Sequence, residues 1–316
     1  MSYRITTVGT GLIGRAWAIS FARAGNIVTL FDTNSDLLSS TLEIIKSTLE
    51  DLHQNDFLFD QSVMEVFNRI KISDQLNDAL DGAEYVQEST PEELDTKKHV
   101  FAQLDSISPK DTILASSSSA FVPSAFSKKL SGRSRCIVAH PINPPYLIPA
   151  VELCPSPWTD PKISNKAHKI LDKAGHSVIL MSKELDGFIM NRMQGALLQE
   201  AFRLINDGYA SVEDVDAGIS QGLALRWSFM GPFETIDLNA PDGVRDYSNR
   251  YGNIYERMSS DFARPIDIAG PILDKVEKQR RQILPKKELQ ERQAWRDRRL
   301  MALAVHKRKS DKLFGK

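Results

Sequence analysis

Residues Tyr3–Asp32 read YRITTVGTGLIGRAWAISFARAGNIVTLFD. In this stretch a β-prone run, Ile5–Val8, meets three glycines in the pattern GxGxxG, a segment with few helix breakers follows, and a second apolar run ends at Asp32. This order of strand, turn, helix and strand is typical of a dinucleotide-binding unit. An ordinary tight turn between a strand and a helix is the alternative, but the acid about 20 residues beyond the glycines favours a cofactor site.

Each of the three glycines has an expected role in such a site. Gly9 permits the tight turn, Gly11 lets the backbone approach a pyrophosphate, and Gly14 lets the helix pack closely on the sheet. The pyrophosphate would lie over the N-terminus of the helix, where unpaired N–H groups and the helix dipole favour an anion. We include Leu12 and Ile13, between the second and third glycines, among the candidate cofactor-binding residues.

The acid at the end of the second apolar run indicates which dinucleotide is preferred. A carboxylate at Asp32 can accept hydrogen bonds from the adenosine ribose hydroxyls and would repel a 2′-phosphate. Neither Thr33 nor Asn34 supplies the arginine that would accommodate that phosphate. The sequence therefore predicts NAD rather than NADP, with a simple turn-forming role for Asp32 as the alternative.

Composition excludes several classes of protein. The chain has 316 residues, of which 41% are hydrophobic and 26% are charged, and these values are typical of a soluble globular protein with two domains. A net charge of −1 gives no basic field for nucleic acid or an anionic membrane surface. The two cysteines show no disulfide or metal-type pattern, no apolar run is long enough for a membrane span, and the first strand leaves no room for a signal peptide. We expect a cytoplasmic enzyme without a metal site.

The order of the expected elements predicts the fold class. Strands alternate with helices up to about Lys183, which is typical of a doubly wound, mostly parallel sheet, and the pattern beyond is almost wholly helical. We therefore predict an α/β Rossmann-type NAD-binding domain over residues 1–183 and an all-helical substrate and dimerisation domain over residues 184–316. After the opening unit, the expected strands are Ile70–Ile72, Glu84–Val86, Thr112–Ala115, Cys136–Ala139, Ala150–Leu153 and Ser177–Leu180, and the expected helices of the first domain are Ser35–Leu52, Gln75–Leu80 and Glu92–Asp105.

The apolar faces of the later helices need a partner surface, and either the first domain or a second copy of the chain could provide it. The basic tail, Arg296–Lys316, could be an interaction arm. Its interspersed apolar residues more simply indicate an amphipathic terminal helix with a solvated basic face.

Four short segments are unusual for purely structural ones. They contain the serine run Ser116–Ser119, His140 at the end of an apolar run, Glu152 inside an apolar strand, and the pair Asn191 and Arg192 at the start of the helical region. Ligands of open α/β sheets bind beyond the carboxyl ends of the strands, where Ser119 and His140 are expected. Each segment also has an ordinary structural explanation, but together with an NAD site a histidine and an acid are what hydride transfer requires.

These segments resemble a known family. The chain is similar to the 3-hydroxyacyl-CoA dehydrogenase superfamily and, within it, to the lambda-crystallin/L-gulonate 3-dehydrogenase branch. The resemblance runs nearly end to end through GTGLIGRAWA, PEELDTKKHVFAQLDSI, ILASSSSAFVPS, CIVAHPINPPYLIPAVEL, GFIMNR, GPFETIDLNA and QAWRDRRLMAL.

The resemblance implies catalytic roles for four residues. His140 resembles the histidine that accepts the hydroxyl proton as hydride leaves the same carbon, and Glu152 resembles the acid that holds and polarises the imidazole. Ser119 resembles the serine that hydrogen-bonds the substrate oxygen. Asn191 would position the substrate near the histidine.

Further binding residues follow from the same resemblance. Glu92 and Lys97 look like cofactor contacts, and Asn143 is expected beside the nicotinamide. The segment LALRWSFM resembles the Arg-aromatic segment of the gulonate and carnitine dehydrogenase branches. Arg226 is therefore a candidate partner of a substrate carboxylate, with a surface or inter-subunit salt bridge as the alternative.

The resemblance predicts NAD-dependent oxidation of the C3 hydroxyl of a 3-hydroxy acid, with L-gulonate as the leading substrate and a homodimer formed through the helical domain. A 3-hydroxyacyl-CoA or carnitine are the enzymic alternatives. A crystallin-like structural protein and an NAD-sensing module are alternatives of other classes, and the retained set of polar site residues argues against both.

Overall fold

The computed structural model describes residues 2–315, which form two compact units. Of these residues, the first unit comprises 2–191 together with 297–315, and the second comprises Arg192–Arg296. The predicted domain boundary between residues 183 and 184 stays a prediction. The boundary between the compact units lies after Asn191, and the C-terminal residues belong to the first unit. No helix within residues 2–315 is long and apolar enough to cross a lipid bilayer.

The first unit is built on one eight-stranded sheet. Its strand order is β3-β2-β1-β4-β5-β6-β7-β8, and every neighbouring pair is parallel except the antiparallel pair of β6 and β7. The predicted doubly wound, mostly parallel sheet is confirmed. The strands are β1 Arg4–Val8, β2 Ile27–Phe31, β3 Ile70–Ser73, β4 Tyr85–Glu88, β5 Ile113–Ser116, β6 Cys136–Pro141, β7 Ala150–Pro155 and β8 Ser177–Leu180.

Helices cover both faces of this sheet. One apolar cluster joins the sheet to α1, α2 and α7, and a second cluster joins the opposite face to α4, α5 and α6. Trp17 and Phe21 of α1 stack with ring centroids 5.0 Å apart and are fully buried in the first cluster. The helices are α1 Leu12–Arg23, α2 Ser35–Gln54, α3 Val63–Phe67, α4 Leu76–Leu80, α5 Leu94–Ile107, α6 Pro123–Ser127 and α7 Pro161–Lys173.

Three helices of this unit, α3, α6 and α7, were not predicted, and each begins with a local signal, which for α6 is the proline at its first position. Ser62 and Glu65 form a reciprocal capping box at the start of α3. Asp160 caps α7, and Pro161 occupies its first turn. The apolar residues of α7 lie on one buried face of an otherwise polar segment, so its helical periodicity is clear although its apolar content is lower than that of the buried helix α1.

The remaining helices confirm the predicted all-helical C-terminal region. Residues 218–223 form a π-helical segment between α9 and α10, in a region where the sequence predicted helix without distinguishing its type. The helices are α8 Met190–Asn206, α9 Val212–Ala217, α10 Ala224–Trp227, α11 Pro232–Asp237, α12 Gly243–Phe262, α13 Ile272–Ile283 and α14 Leu289–Phe314.

The C-terminal part of α14 belongs to the first unit and packs against its apolar core. Met301 is buried in the first apolar cluster. Arg308 donates to the carbonyl of Asp56 and lies over the rings of Phe57 and Phe59, which Arg23 also contacts. These contacts show that the basic tail is part of a packed terminal helix, which favours the terminal helix over an interaction arm.

A buried histidine links α1 to the start of β8. Nδ1 of His176 lies 3.2 Å from the carbonyl oxygen of Pro149, and its Nε2 lies 2.9 Å from Oγ of Ser20. Because a carbonyl only accepts, Nδ1 carries the hydrogen and Nε2 accepts from the serine. Burial lowers the pKa of the His176 imidazole from its ordinary 6.5 to about 4, with a smaller lowering from Arg23 opposed by the bond to Pro149.

This histidine is expected to make stability depend on pH. The folded-state pKa lies below the unfolded one, so the unfolded chain binds the extra proton between pH 6.5 and about 4. The stabilisation is present above pH 6.5 and is lost as the pH falls to about 4. The free energy of unfolding should fall by about 3 kcal/mol over this range. Urea unfolding across this pH window should show that His176→Gln loses less free energy of unfolding than the wild type. His99→Gln, at an exposed position, should lose as much as the wild type. Equal pH dependence in both variants would contradict this role.

Candidate functional site

The glycine turn after β1 has no room for side chains at two of its three glycines. Gly9 has a φ of +96°, and a Cβ added there would lie 2.7 Å from the carbonyl oxygen of Ser89. A Cβ at Gly14 would lie 1.9 Å from the carbonyl oxygen of Gly9. Both glycines are therefore required by the close packing of the turn on β4 and on the helix that follows.

The middle glycine faces open space. A Cβ added to Gly11 would have no heavy atom within 4 Å, and Gly11 precedes α1 without any side chain capping the helix. The first N–H groups of α1 are thus left for a ligand, and Leu12, at its first position, is 53% exposed. A Cβ-free cradle at a helix N-terminus fits the pyrophosphate of a dinucleotide.

Asp32 is held against this turn. Its Oδ2 accepts from the backbone N–H of Thr10 at 2.9 Å and from the Thr10 hydroxyl at 2.8 Å, and its Oδ1 accepts from the N–H of Asn34 at 3.1 Å. A carboxylate can accept about four hydrogen bonds. Asp32 is therefore fixed in direction and keeps acceptor capacity for ribose hydroxyls.

The two further residues expected to contact the cofactor have protein partners. Lys97 is 1% exposed, and its Nζ lies 3.1 Å and 3.2 Å from the two carboxylate oxygens of Glu88. Glu92 accepts from the hydroxyl of Ser118 and lies 3.5 Å from Lys97. The structure thus places Lys97 in a buried ion pair and leaves Glu92, with 39% of its side chain exposed, as the member of this group that reaches solvent.

Glu88 is a site residue that sequence reasoning missed. It is fully buried at the carboxyl end of β4, next to Val8 of β1, and also accepts from the Ser116 hydroxyl at 2.5 Å and from the backbone N–H of Thr90 at 2.7 Å. An acid just beyond the predicted strand Glu84–Val86, nine residues before a lysine, was the only signal in the sequence.

His140 and Glu152 come together because they are directly opposite on the antiparallel pair of β6 and β7. Opposite residues on such a pair project from the same face, with their side chains in contact. Nδ1 of His140 lies 2.7 Å from Oε2 of Glu152, and both residues are buried. Nε2 of the imidazole has no hydrogen-bond partner among the described residues.

The start of α8 fixes the second oxygen of Glu152. Oε1 accepts from the backbone N–H groups of Ile189 and Met190 at 2.6 Å and 2.7 Å. Burial would raise the pKa of the Glu152 carboxyl, but the hydrogen bonds from His140, Met190 and Ile189 outweigh it and hold that pKa below its ordinary value. Glu152 is therefore ionised at neutral pH and acts only as an acceptor, so Nδ1 of His140 carries the hydrogen.

A left-handed turn delivers these two N–H groups. Gly187 and Phe188 have φ values of +74° and +50°. A bulky residue in this region costs about 1–3 kcal/mol of strain. The Phe188 ring is fully buried with its centroid 5.3 Å from that of His140. Sequence reasoning selected this segment but missed Phe188, because its contact depends on the unusual backbone.

Ser119 and Asn191 also meet. Nδ2 of Asn191 donates to the backbone carbonyl of Ser119 at 2.9 Å, which ties the first turn of α8 to the loop after β5. Ser119 is exposed. Near the end of β6, Oδ1 of Asn143 is buried and has no hydrogen-bond partner among residues 2–315. An unpaired buried acceptor fits a ligand that carries an amide N–H, as a nicotinamide does.

Arg226 lies in the second unit. It is an exposed residue of α10, and its Nη1 donates to Oδ1 of Asn239 at 3.3 Å. Its expected role toward a substrate carboxylate stays a prediction.

Family models cover most of the chain. The model of the 3-hydroxyacyl-CoA dehydrogenase NAD-binding domain matches residues 4–185, and that of the 3-hydroxyacyl-CoA dehydrogenase C-terminal domain matches residues 187–281. The chain belongs to the 3-hydroxyacyl-CoA dehydrogenase family. As a member of this family it is an NAD-dependent oxidoreductase, and the predicted cofactor is confirmed.

Individual relatives identify the branch of the 3-hydroxyacyl-CoA dehydrogenase family to which the chain is similar. The chain is 39% identical over 307 residues to the lambda-crystallin of Oryctolagus cuniculus, with 96% of each protein covered. It is 38% identical over 240 residues to an L-carnitine dehydrogenase of Streptomyces griseus, which covers 76% of this chain and 70% of that protein. The resemblance to the lambda-crystallin branch is thereby confirmed.

A solved structure shares the fold. A 5-formyl-3-hydroxy-2-methylpyridine 4-carboxylic acid 5-dehydrogenase, described as an NAD+-dependent dismutase, superposes with a TM-score of 0.82 over 98% of both chains. The two sequences are 23% identical, so this likeness supports the architecture of the 3-hydroxyacyl-CoA dehydrogenase fold alone.

Proposed function

We propose that this protein oxidises the C3 hydroxyl of a 3-hydroxy acid to the 3-keto acid, with NAD as the electron acceptor. The observation that carries the proposal is the buried pair of His140 and Glu152, with 2.7 Å between Nδ1 and Oε2. His140 lies near the carboxyl end of β6, on the same side of the sheet as the glycine turn after β1. A histidine held by an ionised acid is suited to take a proton from a hydroxyl group.

The residues of the pair have separate tasks. Glu152 keeps the hydrogen on Nδ1, so the lone pair of Nε2 is available to the substrate. As the C3–O bond becomes a carbonyl, the hydroxyl proton passes to Nε2, and Glu152 stabilises the positive charge that forms on the imidazole. NAD, when bound, supplies the acceptor for the hydride that leaves C3. In the reverse direction the protonated Nε2 returns its proton to the carbonyl oxygen.

Ser119 and Asn191 are proposed to position the substrate. The Ser119 hydroxyl is exposed and can donate to the substrate oxygen. The amide of Asn191 bonds to the Ser119 backbone, so the two residues would move as one element. The glycine turn would hold the phosphates of the cofactor, and Asp32 would hold its adenosine ribose. Glu92 would contact the dinucleotide through the exposed end of the Glu92 side chain, and Asn143 would contact the nicotinamide.

A free 3-hydroxy acid, with L-gulonate favoured, is the proposed substrate class. A 3-hydroxyacyl-CoA and L-carnitine are the alternatives, and the similarity to an L-carnitine dehydrogenase favours the second of these over the first. The test is NADH absorbance with L-gulonate, 3-hydroxybutyrate, L-carnitine and 3-hydroxybutyryl-CoA, with lactate as a 2-hydroxy control. Highest kcat/KM on L-gulonate would support the proposal, and NADH formation only with the thioester would reject a free acid. Tight NAD binding without turnover of any member would favour the crystallin-like structural role.

Arg226 is expected to bind the substrate carboxylate. Replacing it with methionine removes a charged donor, so KM for the free acid should rise about tenfold or more while the Kd for NADH stays unchanged. Arg257→Met, at another exposed arginine of the second unit, is the matched control and should leave KM unaltered. If Arg226→Met shows the wild-type KM, the residue has a surface role instead.

We also propose a homodimer formed through the helical region, in the cytoplasm. Four large apolar side chains of the second unit, Leu225, Phe229, Phe233 and Leu238, are between 60% and 79% exposed. These residues are close together in the chain, and large exposed apolar patches mark interaction surfaces. Sedimentation should show a dimer for the wild type, dissociation for Phe233→Asp, and no change for Phe314→Asp, whose side chain is exposed in the first unit. A wild-type monomer would reject the dimer.

A further inference from the structure

A buried polar network lies beneath the glycine turn and is not used by the proposed catalytic residues. At its centre, Oγ of Ser117 is 3.1 Å from Nε1 of the fully buried Trp17 and 2.7 Å from Nε2 of Gln87. The Gln87 amide also reaches the carbonyl oxygen of Ala139 at 3.3 Å, and Oγ of Ser89 lies 2.9 Å from that of Ser117.

The hydrogens of this network can be assigned from donor and acceptor chemistry. The Ala139 carbonyl only accepts, so the Gln87 atom facing it is the amide nitrogen, which donates its other hydrogen to Ser117. The indole of Trp17 only donates. Both lone pairs of the Ser117 oxygen are therefore occupied, and its single hydrogen points to Ser89.

Ser89 is consequently left with a hydroxyl hydrogen to donate. Its oxygen accepts from Ser117, and no acceptor among residues 2–315 takes its own hydrogen. Ser89 follows β4 directly and is partly exposed. A Cβ added to Gly14 would lie 3.6 Å from the Cβ of Ser89, and one added to Gly9 would meet the Ser89 carbonyl, so the residue adjoins the cofactor turn on its β4 side.

We propose that Ser89 is a cofactor-binding residue whose hydroxyl donates a hydrogen bond to a phosphate or ribose oxygen of bound NAD. Ser117 sets the direction of this bond, because its own hydrogen is forced toward Ser89 by Trp17 and Gln87. The proposal rests on NAD binding at the glycine turn. It gives a function to a polar network that the proposed catalytic residues do not use.

The test compares ligands that differ in the parts they contain. Ser89→Ala should weaken the Kd for NADH and for ADP-ribose about five- to tenfold, as expected for one hydrogen bond to a charged or polar group. The Kd for AMP should weaken by the same factor if the bond goes to the adenylate half of the dinucleotide, and should stay unchanged if it goes to the distal phosphate or ribose. Ser106→Ala, at an exposed serine of α5 bonded to its own helix, is the matched control. Equal NADH binding by wild type and Ser89→Ala would overturn the proposal, whereas a wild type that fails to bind ADP-ribose would contradict the dinucleotide site itself.

A spectroscopic readout separates this role from a merely structural one. ADP-ribose should shift the indole N–H resonance of Trp17 in the wild type, because the bond made by Ser89 polarises Ser117, and should not shift it in Ser89→Ala. The resonance is assigned by its loss in Trp17→Phe. If Ser89→Ala does not fold, Ser89→Cys retains the side-chain size with a weaker donor, and its Kd for ADP-ribose should also rise. A wild-type Kd in that variant, or an unmoved Trp17 signal in the wild type, would reject the role of Ser89.

Discussion

His140→Ala is expected to lower kcat for oxidation of the 3-hydroxy acid about 10²–10⁴-fold, the usual contribution of a positioned general base. With the imidazole absent, the hydroxyl proton must pass to water while Glu152 remains buried without its partner. The Kd for NADH should be nearly unchanged, because the glycine turn and Asp32 do not depend on this side chain. Steady-state kinetics and NADH fluorescence titration on the same preparation measure the two quantities.

The control for this prediction is His99→Ala, since that histidine is exposed on α5. Its kcat should equal that of the wild type. A thermal unfolding curve for each variant shows whether lost activity reflects lost structure. A folded His140→Ala protein that retains most of its turnover would remove the residue from the mechanism.

Lys97→Met is expected to cause the largest loss of stability, about 3–5 kcal/mol, because it leaves the carboxylate of Glu88 buried without a counter-charge. Glu88 and Lys97 are 0% and 1% exposed, so solvent cannot replace the lost partner. Adding Glu88→Gln to Lys97→Met should restore much of the stability, since the double variant no longer buries an unpaired charge. Urea unfolding of the single and double variants measures the effect.

A neighbouring lysine provides a matched control for this substitution. Lys98 is 48% exposed and pairs with Asp95, which is 96% exposed, so Lys98→Met should change stability by less than about 1 kcal/mol. Equal unfolding midpoints for Lys97→Met and Lys98→Met would show that the buried pair contributes nothing. In a double variant that folds, a weakened Kd for NADH would support the further role of Lys97 as a cofactor contact.

The sequence predicted the parts of the fold that depend on local pattern. The GxGxxG turn, the apolar strands and the change to helical texture each follow from residues close together in the chain, and they define the doubly wound sheet. Helices α3 and α6 were missed because each has only five residues, and α7 was missed because its apolar residues are few. The π-helical segment at residues 218–223 was not distinguished from α-helix, since six residues are too few to show a different period.

The site was predictable in its members but not in its contacts. His140 and Glu152 were identified by resemblance, while their 2.7 Å contact depends on the register of an antiparallel pair that local pattern does not determine. Lys97 was expected to face the cofactor, and its burial against Glu88 depends on the packing of α5 on β4. Ser89 carries no unusual sequence signal, because its role comes from hydrogens assigned across three strands and α1.

The direct test of the proposed mechanism is the tautomer of His140, measured by nitrogen NMR of the neutral imidazole, with its signals assigned by their loss in His140→Ala. We expect the hydrogen on Nδ1, bonded to Glu152, and an unprotonated Nε2 free to take the hydroxyl proton. A hydrogen on Nε2, with Nδ1 unprotonated, would contradict the proposed mechanism, since the nitrogen facing the substrate could not then act as the base.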